Sequence, residues 1–268
     1  MVALVTGGSS GIGLEAVKEL ARRGLTVYAL SRRGIVPGLA QDAVKSVHGL
    51  KADVTDESAV EAAVKTIIDQ SGRIDVLING AGYGISGAIE FTRTEDAKKM
   101  FDADFFGTVS VTKAVLPYMR KAGRGTIVNI SSAAAPAAVP FQAYYSASKA
   151  ALNAYSLALR NEVRPFGIKV ALIQPGDIHT GFTAARLKDV EGDDIYQGRI
   201  ARSVASMEHD ELGGMPARDA GIYVAKVALK KNPRPVYTLR FLYKFAAYLL
   251  KLLPMRPLSW LVYMVYGR

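Results

Sequence analysis

The first thirteen residues narrow the fold most. Residues 2–5, VALV, read as a short buried strand that leads directly into Thr6-Gly-Gly-Ser-Ser-Gly-Ile-Gly13, which opens a helix expected to run to about residue 23. Strand, glycine turn and helix in this order are the context of a cradle for a dinucleotide's phosphates. Gly7 permits a tight turn, and Gly11 and Gly13 let backbone approach a pyrophosphate and let the helix pack close to the strand. The N–H groups and positive dipole end of the helix start would face the phosphates. The spacing is G-x-x-x-G-x-G rather than G-x-G-x-x-G, so an ordinary glycine-rich loop is the competing reading of these residues taken alone.

The rest of the chain keeps alternating. Strands are expected at residues 26–30, 47–52, 74–78, 126–131, 169–174 and 236–238. Helices are expected at 58–71, 94–100 and 104–121, over a long stretch that holds Tyr145 and ends near Val163 before Arg164-Pro165, and at 219–230. Thr55 and Ser58 suggest an imperfect capping box at the first of these. Alternation of this kind implies an α/β fold: one parallel, doubly wound (Rossmann) sheet in three α/β/α layers. A single domain over residues 1–238 would carry the nucleotide, followed by a basic amphipathic helical extension over 239–268. Residues 181–215 are irregular and polar and read as a substrate lid.

Composition removes several classes of function. There is no cysteine, which excludes disulfides and thiolate chemistry. His48, His179 and His209 are the only histidines and none pair at ligand spacing, so no metal site is expected. The net charge is +10, yet nine basic residues and no acidic one follow Asp219, which leaves +1 for the body. A nucleic-acid-binding body would carry the basic patch on its own fold, so no nucleic-acid partner is expected. No charged n-region precedes the first strand, and no apolar run reaches the ~18 residues of a membrane span. The expected location is the cytoplasm, either free or peripheral to a membrane.

In a doubly wound sheet, ligands sit at the carboxyl ends of the strands. The second strand ends in Ser31-Arg32-Arg33. An acidic residue there would bind a ribose 2′-hydroxyl, whereas guanidinium forks suit a 2′-phosphate, which points to NADP(H). The third strand ends at Asp53-Val54, the fourth in Asn79-Gly80-Ala81-Gly82, the sixth in Pro175-Gly176-Asp177-Ile178-His179-Thr180. After the fifth come Ser132 and, thirteen residues on, Tyr145, with Lys149 four further. On a helix Tyr145 and Lys149 share one face. An ammonium beside a phenol favours the phenolate, so Lys149 is expected to lower the Tyr145 pKa and make it a general acid/base.

Together these residues resemble the short-chain dehydrogenase/reductase family, over about residues 2–238. The motifs are TGGSSGIG at 6–13, NGAG at 79–82, Ser132, YSASK at 145–149 and PGDIHT at 175–180. The resemblance implies that Tyr145 gives a proton to the carbonyl oxygen in reduction, Ser132 orients that carbonyl, and Lys149 lowers the Tyr145 pKa and holds the nicotinamide ribose. It implies that Asn79 and Thr180 contact the nicotinamide half, Asp53 the adenine, and the glycine turn the pyrophosphate. The full expected cofactor-binding set is Thr6, Gly7, Ser9, Ser10, Gly11, Ile12, Gly13, Ser31, Arg32, Arg33, Asp53, Val54, Asn79, Gly80, Ala81, Tyr145, Lys149, Pro175, Gly176, Ile178 and Thr180. One departure stands out. Where the family places Asn in the pattern N-x-x-G, this chain has Asp104-Phe-Phe-Gly107. An ionised Asp accepts hydrogen bonds and donates none, so Asp104 either holds the relay water or pairs with Lys149 and raises its pKa. The loop 84–90, GISGAIE, and the lid look most like the 17β-hydroxysteroid and retinol dehydrogenase group. A lipophilic secondary alcohol or ketone is the expected substrate, and a homodimer or homotetramer the expected assembly. The competing functions are an NADP-binding protein without turnover and a peripheral membrane module.

The membrane reading comes from the extension. Arg240, Lys244 and Lys251 would form one basic stripe on a helix. Leu239, Phe241, Leu242, Phe245, Ala246, Leu249, Leu250, Leu252 and Leu253 make the rest broadly apolar. After Pro254 and Pro257, residues 258–266 repeat aromatics at Trp260, Tyr263 and Tyr266. Such a segment must cover its apolar face: on its own fold as a roof over the cleft, on a dimer partner, or at an anionic membrane surface.

Overall fold

A computed structural model describes residues 1–41, 43–239, 243 and 254–267. Seven strands form the main sheet: β1 Val2–Thr6, β2 Thr26–Ser31, β3 Val47–Lys51, β4 Val76–Asn79, β5 Gly125–Ile130, β6 Ile168–Gln174 and β7 Val236–Thr238. Their order is β7-β6-β5-β4-β1-β2-β3, and all pairings are parallel. The doubly wound α/β sheet expected from the alternation is therefore observed. Chain order reverses between β1 and β4, and this switch point opens a crevice beyond the strand ends.

Both faces of the sheet are covered, which is why its central strands are apolar throughout rather than alternating. Ala3, Val5, Val27, Ala29, Val76 and Ile78 pack with the helices Gly11–Arg22 and Ala217–Ala228. Leu4, Tyr28, Leu30, Leu77 and Ile127 pack on the opposite face with Glu57–Ser71, Gly107–Ala122 and Ala143–Val163. Successive strand residues thus serve the two core layers in turn.

Three local expectations change. The helix Glu57–Ser71 is capped by Asp56, whose carboxylate accepts from the Ala59 N–H at 3.0 Å, rather than by a Thr55/Ser58 box. Residues 94–122 are continuously helical, with a π-helical turn, Asp102–Phe106, joining Thr94–Phe101 to Gly107–Ala122. The expected lid contains a regular helix, Arg199–Leu212, whose Ile200, Val204 and Met207 bury against Ala88, Val139 and Phe141. Its apolar residues recur at helical spacing, but its polar surround hid them. Among the described residues, no helix is long and apolar enough to cross a membrane. Residues 240–242 and 244–253, which carry the whole expected basic stripe of Arg240, Lys244 and Lys251, lie outside the described residues.

Candidate active site

The crevice at the strand ends is a cleft of about 1770 Å³. At its base the glycine turn meets the loop after β4, backbone to backbone. Gly7 has φ +69°, and a Cβ there would stand 2.6 Å from the Gly80 carbonyl oxygen. A Cβ on Gly13 would stand 2.5 Å from the Gly7 oxygen, so only glycine lets the helix Gly11–Arg22 start this close to the turn. Ser10 precedes that helix in extended conformation without capping it through its side chain. First-turn N–H groups beside a bare glycine turn make the donor set a pyrophosphate requires.

Nineteen of the expected cofactor residues line this cleft, and two do not. Thr6 is buried, and its Oγ1 accepts from the Gly80 and Ala81 N–H groups at 3.1 and 3.2 Å. It clamps two loops together rather than lining the cleft. Asn79 is also buried. Its Nδ2 donates to Asn129 Oδ1 at 2.8 Å and Thr112 Oγ1 at 3.2 Å, turning the side chain into the protein beneath the cleft. The strand end is correctly placed, but alternation along β4 sends this side chain inward.

The two arginines after β2 differ. Arg33 Nη2 donates to both Ser9 O and Ser9 Oγ at 3.0 Å, bracing the glycine loop. Arg32 is exposed at the cleft edge and makes no hydrogen bond or ion pair among the described residues. Ser31 Oγ accepts from the Gly34 N–H, and Asp53 Oδ1 accepts from the Thr55 N–H and hydroxyl. A dinucleotide fits this edge: glycine turn for the pyrophosphate, Arg32 and Ser31 for the ribose end, Asp53 and Val54 for the base.

The opposite end holds the titratable groups. Ser132 and Tyr145 are half-buried in the cleft wall; Ser131 borders the cleft too, but its hydroxyl is committed to Asn153 Oδ1, to which it donates at 2.7 Å. Tyr144 reaches the Ile89 carbonyl instead, outside the cleft. The Tyr145 ring lies 5.7 Å from that of Phe182, with Lys149 Nζ 5.6 Å from its own centroid. Burial pushes the Tyr145 pKa up, while the Lys149 charge and a Ser132 hydrogen bond pull it down and the Asp104 charge pushes it up again. The net direction is upward, so the expectation of a lowered phenol pKa is corrected: Lys149 acts as expected, but burial outweighs it.

Asp104 explains part of that balance. It stands on the π-helical turn, fully buried, with Oδ2 2.9 Å from Lys149 Nζ and Oδ1 accepting from the Tyr83 N–H at 2.9 Å. Burial would lower the Lys149 pKa, but Asp104 and Tyr145 more than offset it, so Lys149 stays protonated. Of the two roles left open for Asp104, the structure shows the ion pair.

Several cleft residues were not anticipated. Glu211 in the lining is half-buried and pairs with the buried Arg186 behind it, and Thr183 Oγ1 donates to Glu211 at 2.6 Å. Arg186 also lies 5.6 Å from the Phe182 ring, so these contacts set the ring against Tyr145. Tyr243 hydrogen-bonds Asp177 and lays its ring over Gly176. Leu258, Leu261, Val262, Val265 and Tyr266 complete one wall. Tyr266 thus faces inward while Trp260 and Tyr263 are exposed, so the three aromatics do not share one role. None of these has a local signature, because each reaches the cleft from a distant segment.

The family model for short chain dehydrogenase matches residues 1–191. A 3-ketodihydrosphingosine reductase from Bacteroides thetaiotaomicron is 43% identical over 234 residues, covering 87% of this chain and 85% of that protein. The crystal structure of a short-chain dehydrogenase from Streptomyces avermitilis superposes with a TM-score of 0.82 at 29% identity, covering 94% of this chain and 92% of that one. ElxO with NADP bound superposes with a TM-score of 0.75 at 26% identity, over 91% and 98% of the two chains.

Proposed function

The chain belongs to the short-chain dehydrogenase/reductase family of nicotinamide-dependent oxidoreductases, and from that premise we propose that it moves hydride between NADP(H) and a lipophilic secondary alcohol or ketone. The observation that carries this reading is the grouping of Ser132, Tyr145, Lys149 and Asp104 in one cleft whose far end presents a glycine turn and Arg32. A long-chain 3-keto amine is the best candidate substrate. Support comes from the 3-ketodihydrosphingosine reductase similarity and from the apolar wall of Leu258, Leu261, Val262 and Val265.

When bound, the nicotinamide supplies the hydride. The protein's own residues do the rest. Ser132 hydrogen-bonds the carbonyl oxygen and fixes its direction. Tyr145, held protonated by burial, donates its phenolic proton to that oxygen as negative charge develops there. Lys149 stabilises the phenolate left behind. Asp104 holds the Lys149 ammonium on its side of the cleft and keeps it charged. Phe182 and the apolar wall exclude water, which strengthens each of these charges. The test is NADPH oxidation in the presence of lipophilic ketones, with a long-chain 3-keto amine among them. Absence of turnover across that series would defeat the reading.

Cofactor choice rests on Arg32. A guanidinium–phosphate contact contributes about 1.5–3 kcal/mol, so Arg32→Ala is expected to raise KM for NADPH by roughly tenfold or more and leave KM for NADH nearly unchanged. Arg33→Ala should affect both cofactors, because Arg33 braces the glycine loop at Ser9. Equal KM values for NADPH and NADH in the parent protein would refute the NADP(H) assignment.

A further inference from the structure

Residues 254–267 present two faces. The inner one carries Leu258, Val262 and Tyr266 to the cleft wall. It is moored to the helix Arg199–Leu212: Arg199 Nε donates to the Gly267 carbonyl at 2.7 Å, and its guanidinium lies 5.6 Å from the Tyr263 ring centroid. The outer face is largely exposed, with the Arg199 guanidinium against one side of the Tyr263 ring. Met255 is 76% exposed, Trp260 59% and Tyr263 46%, and no residue of the helix Met255–Val262 is buried. Scattered exposed apolar residues are ordinary, but a large aromatic and apolar set on one short helix beside a ligand cleft marks a contact surface.

Charge selects the occupant. From residue 220 to the end there are nine basic residues and no acidic one, and Arg256 is exposed within the helix itself. Two copies meeting through this face would bring Arg256 cations together with no carboxylate from residues 254–267 to pair them, whereas an anionic lipid surface attracts that cation. Trp and Tyr suit the same surface, since an apolar ring with a polar edge sits at the water–lipid boundary. Leu261 and Val265 belong to the cleft lining and are also exposed. They connect the outer face to the interior of the cleft.

We propose that residues 254–267 seat this protein on an anionic bilayer with the mouth of the cleft toward the lipid. A single-chain lipophilic ketone would then pass from the interface along Leu261 and Val265 to Tyr145 without crossing water. The delivery step rests on the functional reading given above; the docking itself does not.

Trp260 is the only tryptophan, so its emission reports this face directly. The full chain is mixed with vesicles of phosphatidylcholine alone, or of phosphatidylcholine with phosphatidylglycerol, at low and high salt. The expected result is co-sedimentation and a blue shift of Trp260 emission with the anionic vesicles at low salt, both reduced at high salt. Each basic residue at the surface adds roughly fivefold to partitioning. Met255→Asp removes an apolar contact outside the cleft and is expected to weaken partitioning roughly tenfold. Its turnover of a short, water-soluble ketone should equal that of the parent. If the parent turns over no ketone, the functional reading fails, while the vesicle result still decides the docking. Protein left in the supernatant with unshifted emission on anionic vesicles at low salt overturns the proposal. Equal binding to both vesicle types also overturns it, as does a blue shift that grows with protein concentration in the absence of lipid, which would assign the face to a second copy.

Discussion

Tyr145→Phe is expected to lower kcat by roughly a thousandfold while NADPH binding stays unchanged. The substitution removes one hydroxyl and leaves the ring, so the contact with Phe182 persists. What disappears is the group that burial holds protonated between Ser132 and Lys149. General acid–base catalysis of this kind contributes about 10²–10⁴-fold. The measurement pairs steady-state NADPH oxidation with an independent binding titration of NADPH. A variant that keeps near-parental kcat would remove Tyr145 from the mechanism. Loss of both turnover and binding would mean that the phenol's role is to hold the cofactor.

Asp104 is the second large effect, and here two substitutions should part company. Asp104→Ala leaves the Lys149 ammonium buried without its partner. Breaking a buried pair from one side costs about 3–5 kcal/mol, because the remaining charge is uncompensated. The expected outcome is a fall in Tm of roughly 10 °C together with loss of turnover. Asp104→Asn keeps one oxygen, able to accept from the Lys149 ammonium or the Tyr83 N–H but not from both as the two carboxylate oxygens do, and removes the charge. It should retain kcat or raise it. Because the Asp104 charge pushes the Tyr145 pKa up, its removal should move the alkaline limb of the kcat–pH profile to lower pH. In the parent, Lys149 has its pKa raised by Asp104 and Tyr145 against burial, so the stability its charge contributes is present below the ordinary lysine range and is lost as pH rises above it. If Asp104→Asn is as inactive as Asp104→Ala, the carboxylate charge itself is required, and the relay-like role of an amide at this position does not apply.

The legible parts of this chain share a property: each is written in residues close together in sequence. Val2 to Gly13 specify strand, turn and helix within one short span, and the observed β1 and Gly11–Arg22 follow them. The Tyr145–Lys149 face depends only on helical repeat. Ser132 is distinguished from Ser131 by its thirteen-residue spacing to Tyr145; both border the cleft, and the structure ties the Ser131 hydroxyl to Asn153. Where a residue's environment is made by distant segments, sequence was a poor guide. Asn79 and Thr6 sit at the expected strand ends, yet Asn129 and Thr112 take up the Asn79 Nδ2 and the Gly80 and Ala81 N–H groups the Thr6 Oγ1. The Arg199–Leu212 helix was concealed because its apolar stripe faces one small cluster and the rest of it is polar.

The sequence by itself determined the layering, the parallel sheet and the edge at which a ligand is held, because period-two and period-3.6 patterns and glycine turns act over a few residues. Only the tertiary structure decided the electrostatics at that edge. Asp104 and Lys149 are 45 residues apart, and their 2.9 Å pairing depends on how a π-helical turn packs against the helix Ala143–Val163. The net direction of the Tyr145 pKa depends on how much water the surrounding segments exclude. The two faces of residues 254–267 depend likewise on where Arg199 and the cleft lie. Burial and charge pairing are sums over neighbours that the chain brings together only on folding, and no local pattern records them.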